Sequence, residues 1–76
     1  MRDQNSWEHL VKGLLKSELK RCDVTYAQLA ARLQGMGIAE TEANIRNKLS
    51  RGKFTAIFFV QCLTAAGVST VRLTDE

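Results

Sequence analysis

Residues 24–33 read VTYAQLAARL and define the centre of the predicted fold. Thr25 has the short side-chain oxygen that caps the start of a helix, and Gln28 follows at the spacing of a capping box. Leu29 and Leu33 lie four residues apart, so they share one face of a helix. The alanines among them are small enough to let a second helix approach closely. This stretch therefore predicts a short helix packed against its neighbours.

A second short helix is predicted downstream, where residues 44–54 read NIRNKLSRGKF. Thr41 is its candidate N-cap, because its hydroxyl can accept an unpaired backbone N–H. Ile45 and Leu49 are spaced four residues apart, so both are expected to face the core while the cations between them project outward. Gly52 marks the exit, since glycine readily adopts the left-handed conformation that ends a helix.

Longer apolar helices are predicted on either side of this pair. Residues 6–22 carry apolar side chains at spacings of three and four, beginning with Trp7, which we expect to plug the core. Residues 56–66, AIFFVQCLTAA, follow a candidate cap at Thr55 and end at Gly67. Apolar side chains occur nearly all round this last helix, which is typical of a helix that is central or pressed against a partner.

The remaining tail, VSTVRLTDE, alternates apolar with polar residues, a pattern compatible with a short strand. The four segments together predict an all-α fold, a compact four- to five-helix bundle that contains a helix-turn-helix and leaves room for a short C-terminal β-strand. With 76 residues the chain is expected to form a single domain over residues 1–76. A hydrophobic fraction of 45% is ample for its core.

The charge balance is mildly basic, with 11 Lys and Arg against 8 Asp and Glu, a net charge of +3. This excess is compatible with a polyanionic partner and also with a basic protein that has none. No apolar run approaches the ~20 residues needed to span a bilayer. The first residues, MRDQNSWEH, lack the apolar region of a signal peptide, so a cytoplasmic location is expected.

The residues that could carry chemistry are few. Cys22 and Cys62 both fall on apolar stripes, which favours two reduced, buried thiols over the alternative of a single disulfide. His9 is the only histidine and there is no CxxC pair, so we predict neither a metal site nor a cofactor. Because no nucleophile, base and orienting group can be assembled, an enzyme is not expected.

Two stretches resemble phage-repressor-type helix-turn-helix domains, the lambda-repressor-like and Cro-like proteins. VTYAQLAARL is similar to the second helix of that family, and NIRNKLSRGKF followed by TAIFFVQCLTAAGV is similar to the end of its recognition helix and the helix beyond. The resemblance extends over residues 24–68. It implies that the third helix enters the major groove of DNA, which is wide enough to admit an α-helix.

The whole chain also resembles a family of small bacterial proteins described as a domain of unknown function. The opening pattern W…LV…L, from Trp7 to Leu14, and the central ETEANIRNKLSRGKF carry this second resemblance. It implies no activity. The predicted function, a small bacterial transcriptional regulator that binds double-stranded DNA, therefore depends on the helix-turn-helix resemblance and on the cations of the third helix.

Nine polar side chains around the second and third helices are the DNA-binding candidates. Asn and Arg can make bidentate hydrogen bonds to adenine and guanine, whereas cations at a helix end suit phosphates. Because one recognition helix reads only a few base pairs, we expect a homodimer, formed through the fourth helix and the C-terminal tail. The nine candidates are Tyr26, Gln28, Thr41, Asn44, Arg46, Asn47, Lys48, Arg51 and Lys53.

The alternative is a protein–protein interaction module that keeps the same scaffold and does not bind DNA. A fold does not fix a function, and a net charge of +3 fits this interpretation nearly as well. Four acidic residues would then help to select a protein partner: Glu40 and Glu42, next to the presumed phosphate-facing end of the third helix, and Asp75 and Glu76 in the tail.

Overall fold

The computed structural model describes residues 3–73, which form four α-helices and no strand. The predicted all-α fold is confirmed. No helix in the described part of the chain is long and apolar enough to cross a bilayer. The helices are α1 (Gln4–Arg21), α2 (Tyr26–Gly35), α3 (Glu42–Arg51) and α4 (Ala56–Ala66).

Each helix starts at a side chain that accepts a hydrogen bond from a backbone N–H of the first turn. The carboxylate of Asp3 accepts from the N–H of Ser6 at 2.8 Å, and this bond lowers the pKa of Asp3 below its usual value. At α2 the capping box is complete, because Thr25 and Gln28 each bond the backbone of the other. The four N-caps are Asp3, Thr25, Thr41 and Thr55.

The core is built around four pairs of buried side chains, one pair from each helix, with the members of each pair four residues apart. Val24, Ala30, Leu63 and Ala66 are buried beside them. Helix α1 packs against α3 and α4, and α2 packs against the same two helices, so the four helices surround these pairs. Burying each large apolar side chain contributes about 1.5–3 kcal/mol. The pairs are Leu15 and Leu19, Leu29 and Leu33, Ile45 and Leu49, and Phe58 and Cys62.

Trp7 is not the core plug that its place on the apolar stripe predicted, because 49% of its surface is exposed. It lies in the first turn of α1, about two turns before Leu15, where the buried part of the helix begins. The prediction was wrong because a stripe shows which side of a helix is apolar but not where along the helix the partner helices end.

The tail forms no strand up to Leu73, contrary to the pattern of alternation. A strand needs a neighbouring strand to satisfy its backbone groups, and the described residues provide none. Val71 packs instead against the core. The rest of the predicted strand, residues 74–76, lies outside the described residues.

Both cysteines are free thiols, which removes the disulfide alternative. Cys62 is fully buried, whereas Cys22 is only half-buried at the C-terminal end of α1. Burial and the nearby negative charge of Glu40 raise the pKa of the Cys62 thiol to about 12. These features indicate that Cys62 fills space in the core and is not a reactive group.

Gly52 provides a test of the α1–α3 contact. It ends α3 with φ 68°, and a Cβ there would lie 2.9 Å from the backbone oxygen of Glu8. We expect Gly52→Ala to lower the free energy of unfolding by about 3 kcal/mol through backbone strain plus this overlap. Gly67 has φ 84° and open space around it, so Gly67→Ala should cost only about 1 kcal/mol. Urea unfolding of both variants measures the difference, and equal losses would contradict the close approach.

The buried thiol gives a second expectation. In the native protein Ellman's reagent should label Cys22 well before Cys62, and in denaturant both should react at once. Because the pKa of Cys62 is raised from 9.0 to about 12, the native thiol stays protonated where the unfolded one ionises. The free energy of unfolding should therefore fall as the pH rises above 9.0. Cys62→Ala should remove this alkaline loss, and an unchanged pH profile in that variant would contradict the assignment.

Candidate nucleic-acid interface

The rotation of α3 about its axis is fixed by Ile45 and Leu49, both of which are 0% exposed. Three polar side chains, spaced three and four residues apart on the opposite side, form its outermost stripe: Asn44, Asn47 and Arg51. Within residues 3–73 no hydrogen bond or ion pair engages these three side chains. Their donors and acceptors are therefore available to a ligand that approaches α3 from outside.

Arg46 lies at the edge of this stripe, towards the start of α2. Its guanidinium contacts Glu42 one turn earlier at 2.6 Å and lies over the ring of Tyr26, 5.9 Å from the centroid. The Arg46 side chain remains 56% exposed. Exposed ion pairs of this kind contribute about 0.5 kcal/mol, so a phosphate could replace Glu42 at little cost.

Lys48, a predicted DNA contact, lies on the other side of α3 from Arg46. Its ammonium lies 2.5 Å from the carboxylate of Glu40, whose side chain is only 8% exposed, and 4.5 Å from the ring centroid of Phe58. Glu40 lies in the loop between α2 and α3. The side-chain amide of Gln34 in α2 also holds this loop, because it donates to the backbone oxygen of Glu40 at 2.8 Å. Lys48 and Glu40 therefore hold the α2–α3 loop onto α3; Glu40 is buried, whereas 40% of the Lys48 side chain remains exposed.

Three further candidates have local partners. Gln28 and Thr41 are exposed, and each accepts a hydrogen bond from a backbone N–H: Gln28 within the capping box of α2, and Thr41 as the N-cap of α3. Lys53 follows α3 and lies 3.9 Å from the carboxylate of Glu8, with 71% of its side chain exposed. Glu8 is only 15% exposed, but the contact is long and the ammonium of Lys53 is in water, so Lys53 remains available to other anions.

The structure adds three lysines of α1 that the sequence prediction omitted. Lys12 donates from its ammonium to the backbone oxygen of Ser50 at 3.3 Å, which places α1 beside the end of α3. Lys16 and Lys20 follow at intervals of four residues and flank a shallow pocket together with Tyr26. Their regular spacing on one side of α1 was a signal in the sequence, but only the packing of α1 beside α3 shows that they share a surface with the predicted site.

These contacts join into one surface, which we call the basic face. Lys12 contacts Ser50 of α3, Lys20 adjoins Tyr26, and Tyr26 lies under Arg46 of α3. The start of α2, with the partial positive charge of a helix N-terminus, lies in the same region and favours anions. The basic face comprises Lys12, Lys16, Lys20, Tyr26, Arg46, Asn47 and Arg51.

The chain belongs to the family described as a domain of unknown function, DUF6471, whose model matches residues 7–71. The match includes α2, α3 and α4 completely and most of α1. The resemblance to a domain of unknown function is thus confirmed over these residues, and the helix-turn-helix resemblance stays a prediction. Comparison with curated proteins and with solved structures gave no match.

Lys48 pairs with a buried carboxylate and Arg46 with an exposed one, so the two cations should differ in how much they contribute to stability. Lys48→Ala leaves the carboxylate of Glu40 buried without its partner, so we expect the free energy of unfolding to fall by about 2 kcal/mol. Arg46→Ala removes an exposed pair and should cost less than about 1 kcal/mol. Chemical denaturation of the two variants, with Glu40→Leu combined with Lys48→Met as a charge-free control, checks this. Equal losses for Lys48→Ala and Arg46→Ala would show that Glu40 does not need Lys48.

Proposed function

We propose that this protein binds double-stranded DNA through the basic face, with α3 in the major groove, and acts as a small bacterial transcriptional regulator. The observation that carries the proposal is the burial of Ile45 and Leu49, which turns an uninterrupted stripe of polar side chains away from the molecule. An α-helix with Asn and Arg along its outer side is suited to reading base edges.

The amide side chains of α3 and the cations around them would contact different parts of the DNA. Asn44 and Asn47 lie on the outer stripe of α3 and would contact base edges, where amide groups make paired hydrogen bonds. Arg51 is the last residue of α3 and would contact phosphates. Lys16 and Lys20 extend from the neighbouring helix and would contact phosphates, which fixes the position of α3 on the duplex. Base contacts would therefore supply sequence preference, and the lysines would supply most of the salt-dependent affinity.

The placement of α2 supports the same proposal. Helices α2 and α3 follow each other in the chain, pack together and are joined by residues 36–41. A consecutive pair in which the second helix carries the outward polar stripe is the plan of a helix-turn-helix. The resemblance of residues 24–68 to phage-repressor-type domains points in the same direction. Lys48 has no part in the proposed interface, because its charge is already paired with Glu40.

Two adjacent cations of α1 provide a matched test. Lys20 lies on the basic face, whereas Arg21 points elsewhere and pairs with Glu18 at 2.6 Å. Lys20→Ala should weaken binding to duplex DNA and reduce the slope of log affinity against log salt by about 1. Arg21→Ala removes the same charge and should leave both quantities nearly unchanged. Fluorescence anisotropy with a labelled duplex at several salt concentrations measures both, and equal effects of the two variants would show that net charge alone is responsible.

The polar stripe of α3 needs a separate measurement. Asn47→Ala should change the sequence preference selected from a random duplex library, with about 1–3 kcal/mol lost at one base position, and should leave the salt slope unchanged.

In an NMR titration with random duplex DNA, the shifts should cluster on α1 lysines and residues 44–53. If no shifts appear at low salt, DNA binding is excluded and the protein-interaction alternative is supported.

A further inference from the structure

The first half of α1 carries a second, apolar surface on the side opposite the lysines, and Glu18 and Arg21 follow it in the second half of the helix. Leu14, Leu15 and Lys16 are consecutive, so their side chains point about 100° apart: Leu15 into the core, Lys16 to the basic face and Leu14 to the other side. Trp7, Leu10 and Leu14 share that other side through spacings of three and four. Because Leu15 and Leu19 supply the buried part of α1, these three residues form an apolar row that the core does not use.

This row forms one wall of a groove of about 390 Å³ between α1 and α4. Phe59 and Ala56 of α4 form the opposite wall, and Leu73 lies at the end of the described chain against the same groove. None of the residues that line the groove is charged. Trp7 is 49% exposed and Leu73 is 68% exposed, so the groove presents apolar surface directly to water.

A short apolar ridge lies next to the groove on α4. Ile57 is 70% exposed and Val60 is 57% exposed, and Ile57 directly follows Ala56 of the groove wall. Large apolar side chains rarely gather in the open on a monomer unless they meet a partner. The same side of the molecule therefore presents both an apolar groove and an apolar ridge.

We propose that a second copy of this chain occupies the groove, in a two-fold dimer in which the Ile57–Val60 ridge of each copy enters the groove of the other. Such an interface uses one patch twice, so a small patch that contains both shapes can complement itself. It is also uncharged on both sides, which avoids burying an unpaired charge. The sequence predicted a homodimer formed through the fourth helix and the C-terminal tail. The proposed dimer uses α4 for the ridge and adds α1, which supplies most of the groove.

Charge and area both favour a second copy as the occupant. Each chain has a net charge of +3, so two copies repel each other most where their lysines meet and least on the far side of α1, where the groove lies.

A small interface buries about 600 Å² per copy, which is roughly a ninth of the 5263 Å² surface of this chain. Four large side chains that are about half or more exposed, with the groove walls, can supply an area of this order. We expect a dissociation constant on the order of micromolar.

Sedimentation analysis of the full chain without DNA tests the dimer independently of the proposed function. The protein should shift from monomer to dimer as its concentration rises through the micromolar range, and high salt should leave the dimer intact or strengthen it, because it screens repulsion. Ile57→Glu places a charge on the ridge and should lower the association constant at least tenfold. Ala31→Glu, which adds the same charge to an exposed position on α2, should leave it unchanged.

A second variant and a folding measurement guard against a trivial result. Leu73→Ser changes an exposed residue outside the helices, so it should weaken the dimer several-fold without altering the circular dichroism spectrum. Lys20→Ala should retain the dimer even where it loses affinity for DNA. A wild-type chain that stays monomeric at the highest concentration, or a dimer that withstands both Ile57→Glu and Leu73→Ser, would overturn the proposal.

Discussion

The burial of Ile45 and Leu49 determines which side of α3 faces outward, and every contact proposed between α3 and DNA follows from that orientation. A ten-residue helix is marginal on its own, so α3 depends on its neighbours for its position. The Glu40–Lys48 pair adds a second restraint, because it joins the loop before α3 to the side of the helix next to Phe58. A wrong rotation of α3 would leave the Glu40 carboxylate buried without a cation, which is costly. The polar stripe of Asn44 and Asn47 is therefore held in place by groups that take no part in binding.

The cations of this chain have different roles according to the partners that the fold gives them. Lys48 is committed to a buried carboxylate, and Arg32 donates to the backbone oxygen of Ala65 near the end of α4. Arg46 pairs with the exposed carboxylate of Glu42, which a phosphate could replace because such pairs contribute little to stability. Lys53 is itself exposed and makes only a long contact, 3.9 Å, with its partner Glu8, so it too can turn to a phosphate. Lys16 lies beside Tyr26 on the basic face. The net charge is therefore a poor measure of how many cations a basic protein can place on DNA, because burial and pairing decide which of them can bind phosphate.

The sequence was sufficient for the features that depend on local interactions. Capping by Thr25 and the inward direction of Leu29 and Leu33 require only spacing along one helix, so both could be predicted. The burial of Glu40 could not, because it depends on Lys48 of another element reaching back over the loop. The lysines of α1 were missed for the same reason, since a surface shared between helices is created only when they pack. Trp7 shows the limit of periodicity, which gives the apolar side of a helix but not the extent of its burial.

Helix α1 shows how a 76-residue chain can carry two different surfaces on one small core. Its buried residues occupy a narrow stripe, with lysines on one side and an apolar row on the other. In a protein this small the core alone gives modest stability, so exposing Leu10 and Leu14 to a groove is a cost that larger domains rarely accept. That cost is offset if a second copy covers the groove. Pairing through the side of α1 away from Lys16 also leaves both basic faces accessible, so that dimerisation and DNA binding would not compete for the same surface.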